Sequence, residues 1–468
     1  MRTIVEPKDQ INRLWGKQRI NKTEVYRLMR YVLQVNHNNK VLLHNVVSGQ
    51  LVVLEKDEEE VVSILPHTYE PMMDQLIAEH YLVPEDYDEH SQVVNLRSIL
   101  QKLASAYDNK TRAITNYTIL PTTACNARCY YCFEHGVHPV TMTEQIADNT
   151  VRFISENCGS DRKISIRWFG GEPTVAVNRI DQICKGLNKA GINYSSSMTT
   201  NGYLFDEEMV SKAQDLWHLK DLMISVDGTE KNYNEIKSFV GVKDNPYQRV
   251  LRNVGFLLDA GIKVMLRMNF DLGNYQDFKD LLEEASERYQ GNKLLQVYAF
   301  PIKGSNPDKN GKINHGSETW FDDTLVELND MAREKGLFAR RRDLPSLNYL
   351  TCNAGTPSFM VITPEGKLGR CTGIFYKEDQ IVGSISEGFT ECDYCKKWIP
   401  FADPKKCVKC QLFPNCVLIE RCPGRDRCFI KETYRQYEET IISIFNHWLN
   451  RYQQNERGLH HDASGTES

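Results

Sequence analysis

Apolar and polar positions keep a short, strand-like rhythm near the start of the chain. Arg30 to Val35, Lys40 to Val46 and Gln50 to Glu55 are β-rich runs, separated by the turn signals Asn36-His-Asn-Asn and Ser48-Gly49. The spacing then turns helical over Asp57 to Leu65 and over Pro71 to Tyr81. The second stretch has proline at its first position, where the missing N–H costs no hydrogen bond. Three strands followed by helices predict a small winged-helix-like module. Glu85 to Asn109 is polar and reads as a linker carrying one helix, Ser91 to Ala106.

From Asn116 the pattern becomes an alternation. Strands are expected at Asn116–Leu120, Lys163–Phe169, Asn193–Thr199, Asp221–Val226, Lys263–Phe270 and Leu294–Phe300. Helices are expected at Thr143–Asn157, Asn178–Lys189, Asp206–Leu216, Tyr247–Ala260, Tyr275–Tyr289 and Phe321–Lys335. Such β-then-α units in series predict an α/β fold with a parallel sheet and right-handed crossovers. Six units, not eight, predict an open, partial (β/α)6 barrel whose ligands sit at the carboxyl ends of the strands. Lys303 to Ser317, rich in Gly, Asn, Lys and Ser, reads as a mobile loop near the barrel mouth. Arg340-Arg341-Arg342 before Pro345 reads as a solvated basic boundary.

Beyond Tyr349 cysteines replace hydrophobic period as the organising feature, apart from a hairpin, Phe359–Thr363 and Lys367–Arg370, around Pro364-Glu-Gly366. In Glu432 to Arg451, Ile441, Ile442, Ile444, Phe445 and Trp448 recur at helical spacing, so this helix is expected to pack back on a domain. Asn455 to Ser468 is polar and expected to be disordered. The organisation predicted is a module and linker at 1–110, a barrel at 111–345, a cysteine-rich domain at 346–432 and a helix with tail at 433–468.

Composition changes the picture in two respects. With 41% hydrophobic and 25% charged residues the chain is ordinary globular protein, and 468 residues suit about three domains. Its net charge of −5 argues against a general nucleic-acid binder. No apolar run nears the roughly 20 residues that span a bilayer, and Met1-Arg-Thr-Ile-Val-Glu-Pro is not a signal peptide. A cytoplasmic location, with no nucleic-acid or membrane partner, is expected. The cytosol keeps thiols reduced, so 14 cysteines point to metal and not to disulfides. Cys158 and Cys184 fall in helical patterns and read as core. Nine others crowd between Cys352 and Cys428, implying a metal region near the C-terminus.

The remaining three stand in Pro121-Thr-Thr-Ala-Cys125-Asn-Ala-Arg-Cys129-Tyr-Tyr131-Cys132-Phe-Glu134, spaced Cys-x3-Cys-x2-Cys, directly after the first barrel strand. A [4Fe–4S] cluster normally takes four cysteine ligands, so a loop offering three leaves one iron open to a non-protein ligand. Structural zinc is the alternative. It asks for a fourth Cys or His nearby, and His135 and His138 are the local candidates.

The loop, with aromatic Tyr131 before its last cysteine, resembles the signature of the radical S-adenosylmethionine (SAM) superfamily. The resemblance implies that Cys125, Cys129 and Cys132 hold a cluster whose open iron is chelated by SAM. Reductive cleavage then yields a 5′-deoxyadenosyl radical that takes hydrogen from the substrate. It also implies a partial barrel of the radical SAM type. Gly170-Gly171-Glu172-Pro173, after the second strand, matches the family motif for the SAM amino group. Thr200-Asn201 ends the third strand, Ser225 and Asp227 lie at the end of the fourth, and Arg267 and Asn269 at the end of the fifth. There they stand where a ribose or carboxylate would be met. Each alone is also a plausible turn or cap residue.

The C-terminal cysteines resemble a SPASM domain, which carries up to two auxiliary [4Fe–4S] clusters. By that pattern Cys407, Cys410, Cys416 and Cys428 hold one, and Cys352, Cys371 and Cys422 the other. The family's usual three-residue gap before the last clustered cysteine is five here. The second set counts three ligands, and Cys392-x2-Cys395 is either a spare ligand pair or a free one. The N-terminal module is similar to a leader-recognition element that works by strand addition, with a ligand-free cap as the alternative. The function expected is a peptide maturase acting on a precursor peptide with leader, fed by an electron donor such as flavodoxin or ferredoxin, and forming a thioether. Other readings are a carbon–carbon cross-linking or epimerising maturase, a sulfatase-maturating enzyme, or an iron–sulfur electron carrier. Relatives of the sulfatase type carry Asp after the cysteine of the Gly-x4-Cys unit, and here Thr372 stands there.

Overall fold

The computed structural model describes residues 1–111, 113–289, 291–302, 316–338, 344–348, 353–356, 358–373, 378–389, 407–416 and 430–462. Its first hundred residues make two small antiparallel sheets. Strands β1 (Arg2–Val5), β3 (Val32–His37), β4 (Lys40–Asn45) and β5 (Leu51–Val53) pair in the order β1-β5-β4-β3. β2 (Val25–Leu28) pairs with β6 (His67–Thr68) and β7 (Leu82–Pro84) on either side. Helices α1 (Asp9–Trp15), α2 (Lys56–Ser63), α3 (Asp74–Ala78) and α4 (Glu89–Thr111) close a core that includes Tyr26, Tyr31, Val52, Leu76 and Tyr81. The β3–β4 hairpin turns at Asn38 and Asn39, with φ of 50° and 57°. Asparagine tolerates that left-handed backbone, which fits the twist of the strands. The module is larger than the three strands and two helices predicted, because β1, α1, β2, β6 and β7 are too short to show a period.

The barrel follows the prediction closely. Strands β8 (Asn116–Thr122), β9 (Lys163–Gly170), β10 (Asn193–Thr200), β11 (Leu219–Ser225), β12 (Lys263–Phe270) and β13 (Leu295–Pro301) lie side by side in sequence order, all parallel. Alternate residues such as Ile164, Ile166 and Trp168 on β9, or Val264, Leu266 and Met268 on β12, are buried. They pack under α5 (Glu144–Asn157), α6 (Val177–Lys189), α7 (Glu207–Asp215), α9 (Pro246–Asp259), α10 (Phe278–Arg288) and α11 (Glu318–Glu334). The intervening residues, among them Met223, Ser225, Arg267 and Tyr298, line the half-buried inner face. Cys158 and Cys184 are buried in this helix–sheet core. An unpredicted helix, α8 (Glu230–Lys237), precedes α9.

The sheet does not end at β8. β14 (Phe359–Ile362) pairs in parallel with it, and β15 (Lys367–Gly369), β16 (Ile381–Ser384) and β17 (Gly388–Phe389) continue antiparallel, so the described sheet has 10 strands. α12 (Ile430–Asp462) lays Tyr437, Ile441 and Phe445 against Leu33, Val35 and Leu51 of the N-terminal sheet. Its first turn meets α11, where Arg333 pairs with Glu432 at 2.5 Å and Glu439 at 2.9 Å. The helix runs past Asn455, where disorder was expected; Glu456, Arg457 and Leu459 there are good helix formers even without an apolar stripe. No helix among the described residues is long and apolar enough to cross a membrane.

Candidate active site

Thr122, the last residue of β8, begins the cysteine loop by bonding at both edges. Its hydroxyl donates to Val140 O at 2.9 Å and accepts from Ala124 N at 2.9 Å. β9 ends against the same stretch: Gly171 N donates to Thr122 O at 3.2 Å and Glu172 N to Ala124 O at 2.9 Å. Side chains at Gly170 or Gly171 would not fit. A Cβ on Gly170 would lie 2.2 Å from Thr122 O, and one on Gly171 2.5 Å from the carbonyls of Thr123 and Ala124. The two glycines are thus there to let β9 come against the backbone that carries Cys125.

Glu172 is fully buried, and its carboxylate faces inward. Oε1 accepts from Thr174 N and Oγ1 and from Thr200 Oγ1 at 3.1, 2.6 and 2.8 Å, and Oε2 from Asn201 N at 2.7 Å. Burial raises its pKa while these donors oppose the rise. The carboxylate therefore ties the end of β10 to the turn after β9, with Pro173 starting the short helical turn that follows. Asn201 also reaches the cysteine loop, donating from Nδ2 to Asn126 Oδ1 at 2.7 Å.

A second buried knot forms on the other side of the loop. Asp227, fully buried, accepts from Asn269 N and Nδ2 at 3.0 and 2.9 Å, pairs with Lys237 at 2.7 Å and receives the Tyr131 hydroxyl. Asn269 Nδ2 also reaches the Tyr131 oxygen, at 3.0 Å. Ser225, on β11, accepts from Lys237. Four residues chosen from sequence, Tyr131, Ser225, Asp227 and Asn269, are thus gathered around one not chosen, Lys237. Its signal was faint, because α8 has few apolar residues. Arg267 lies on the inner face with its guanidinium 5.5 Å from the Phe300 ring, and its buried Nε has no partner among the described residues. Glu134, two residues beyond Cys132, is buried with neither carboxylate oxygen partnered among the described residues, and burial pushes its pKa up to about 7.

The thiols suit a cluster. Cys125, Cys129 and Cys132 are free and half-buried. Burial, with Glu172 adding, pushes the Cys125 thiol up to about 12; burial pushes Cys132 up to about 11 and also raises Cys129. Thiolates in such a place need a cation, and metal coordination supplies one. A [4Fe–4S] cluster binds each of three thiolates through a different iron and so suits a three-cysteine loop. Bound there, SAM would meet the glycine turn, the Thr200–Asn201 end of β10 and the inner face at Ser225 and Arg267.

Of the auxiliary set, Cys407, Cys410 and Cys416 lie on one loop closed by Cys410 N→Cys407 O at 3.0 Å and Cys416 N→Leu412 O at 2.9 Å. Cys407 and Cys410 pack against the core of the N-terminal module. Cys371, half-buried, follows β15. Cys352, Cys392, Cys395, Cys422 and Cys428 lie outside the described residues, as do the loop after β13 and the arginine run at 340–342.

The radical SAM superfamily profile matches residues 119–285, from β8 through α10. A GTP 3′,8-cyclase of Clostridium perfringens (strain 13 / Type A) is 27% identical over 273 residues, 56% of this chain and 82% of the cyclase. Radical SAM cyclopropyl synthase TigE of Paramaledivibacter caminithermalis is 22% identical over 332 residues, 62% of this chain and 64% of the synthase. The solved structure of native anSMEcpe with bound AdoMet and Cp18Cys peptide superposes with a TM-score of 0.55 at 16% identity, over 72% of this chain and 99% of that one. This likeness shows a shared fold. SAM and a [4Fe–4S] cluster are the cofactors of the superfamily, and residues 119–285 of this chain form a radical SAM domain.

Proposed function

We propose that this enzyme modifies a ribosomally made precursor peptide and closes a thioether in it. The observation that carries the peptide reading is β3. It is the terminal strand of the N-terminal sheet, so its outer edge has no strand partner among the described residues, and an extended leader can add there by main-chain hydrogen bonds. Gln34 and Asn36 on that strand are exposed, while Leu33 and Val35 are held from one face by α12. The fold likeness to anSMEcpe, solved with a peptide bound, supports the same substrate class.

When bound, the cluster and SAM supply a carbon radical able to take a hydrogen atom from the peptide, given an electron from a donor such as flavodoxin or ferredoxin. The chain's part is placement. Cys125, Cys129 and Cys132 hold the cluster, Gly170 and Gly171 bring β9 against their loop, and Glu172 locks the β10 end that faces SAM. Ser225, Arg267 and Asn269 offer polar groups along the inner face. Joining sulfur to carbon removes one hydrogen from carbon and one from the thiol, two electrons in all, so an acceptor for the second electron is required. The auxiliary cysteines supply it in this reading, with Cys352, Cys371 and Cys422 offering three ligands and one open position.

Mass spectrometry of the modified peptide, followed by alkylation, tests the proposal. The expected product is lighter by two hydrogens and has lost one alkylatable thiol. A product of that mass whose cysteines all still alkylate refutes the thioether, and unchanged mass would indicate epimerisation instead.

A further inference from the structure

Lys237, the last residue of α8, is 1% exposed. Its ammonium uses its three N–H groups internally, on Asp227 Oδ2 and Ser225 Oγ at 2.7 Å each and on the Tyr131 hydroxyl at 2.9 Å. The rings of Tyr131 and Tyr233 lie 5.6 and 5.8 Å from Nζ, within cation–π reach. Its main chain holds the same loop, because the Lys237 carbonyl accepts from Arg128 N at 2.8 Å. The chain then turns through Ser238, at φ 44°, and Val240 N donates to Asn126 O at 2.9 Å. One residue thus grips the cysteine loop on both sides of Cys129.

A buried ammonium is costly even when paired. Asn269 already satisfies one oxygen of Asp227, and neutral donors would serve the other. What a neutral residue would not provide is a permanent positive charge at Cys129. Lys237 accepts from Arg128 N through its carbonyl and donates to the Tyr131 hydroxyl through its ammonium, so its charge is held beside the short segment that carries Cys129.

We propose that Lys237 is a positioning residue whose fixed positive charge makes one-electron reduction at the cysteine loop easier. This rests on reading Cys125, Cys129 and Cys132 as cluster ligands. The electron comes from an external low-potential one-electron reductant. It adds one negative charge at the thiolate-bound group, and no proton moves. Lys237 stays protonated throughout and stabilises the added charge across low-dielectric surroundings.

The test uses the full chain, reconstituted anaerobically, as wild type, Lys237→Met, Lys237→Arg and the double variant Asp227→Asn/Lys237→Met. Iron content is measured first. The reduced signal missing from a Cys125/Cys129/Cys132→Ala variant is then followed by electron paramagnetic resonance at fixed potentials set with dithionite. Lys237→Met should lower the reduced-to-oxidised ratio at least tenfold, a 59 mV fall for one electron. Lys237→Arg should stay within about twofold of wild type, and the double variant should fall between them. A wild-type ratio in Lys237→Met carrying wild-type iron overturns the proposal and leaves Lys237 a structural clamp. If Lys237→Met loses its iron, the double variant, which leaves no buried carboxylate unpaired, decides; a wild-type ratio there overturns the proposal as well. Wild-type protein that shows no signal dependent on the three cysteines would instead overturn the ligand assignment, and the role of Lys237 with it.

Discussion

Gly171→Ala measures how closely the cysteine loop is built against the turn after β9. The new methyl would start 2.5 Å from two carbonyl oxygens, those of Thr123 and Ala124. Carbon-to-oxygen contact begins near 3.3 Å, so the strands must part by about 0.8 Å. Both oxygens are main chain and cannot swing aside as a side chain would, and Ala124 immediately precedes Cys125. The parting also stretches the Glu172 N–H bond to Ala124 O, now 2.9 Å. Overpacking of this kind costs about 1–3 kcal/mol in stability, and a misplacement near 1 Å at a reacting centre costs about a hundredfold in rate. SAM cleavage, read as 5′-deoxyadenosine released from anaerobically reduced enzyme, should therefore drop about 100-fold while the protein remains folded. Gly255→Ala in α9 is the control. Its nearest neighbour would be 3.9 Å away, and alanine is the better helix former by about 0.5–1 kcal/mol. Cleavage at the wild-type rate by Gly171→Ala would refute the argument that this turn sets the position of the loop.

Arg333→Met removes the shared partner of Glu432 and Glu439, and leaves buried Glu432 without its cation. Breaking such a pair costs about 3–5 kcal/mol, so α12 should become cleavable by protease well before the barrel unfolds; equal protection in variant and wild type would count against the clamp. His44, fully buried between Gln50 O at 3.1 Å and Pro345 O at 2.9 Å, has its pKa lowered to about 4 by burial, against the pull of those two carbonyls. The unfolded chain takes up a proton near pH 6.5 that the folded one refuses until about 4. Stability is therefore complete above 6.5 and falls by about 3 kcal/mol as the pH drops toward 4. Thermal melts across that window should show a slope that His44→Asn loses, and an unchanged slope would remove His44 as its source.

The barrel was legible because β9 to β13 alternate a buried outer face with a lining inner one, and the helices between the strands, α8 aside, are long enough to show a stripe. Lys263 to Phe270 was placed to the residue. The N-terminal sheets were half legible. β3, β4 and β5 are bounded by strong turn residues, but β7 is three residues long and β1 is set by pairing with β5. In the site, the cysteine loop, the glycine turn and the strand-end polar residues were all marked by composition. Glu172 was read as facing the ligand, yet its oxygens are taken by Thr174, Thr200 and Asn201, partners that only the fold brings near. Lys237 went unseen for a related reason: it is ten residues from Asp227 on a short polar helix, and its meaning comes from what surrounds it. The parallel pairing of β14 with β8 was equally invisible, since more than 200 residues separate them.

Arg97 carries a consequence for how the protein is made. It lies on α4, and its guanidinium donates to Phe413 O and Pro414 O at 2.9 and 3.1 Å while lying 4.7 Å from the Phe413 ring. Phe413 and Leu347 belong to the same core as Tyr31 and Tyr81. The sequence separation between Arg97 and Pro414 is 317 residues. At about 5–20 residues per second a ribosome needs roughly 15 to 60 s to cover it. Through that interval the N-terminal module has one wall missing while the barrel is synthesised after it. The module is thus made well before the residues that complete its core, and a chaperone that shields apolar surface would find its binding site there until residue 414 arrives.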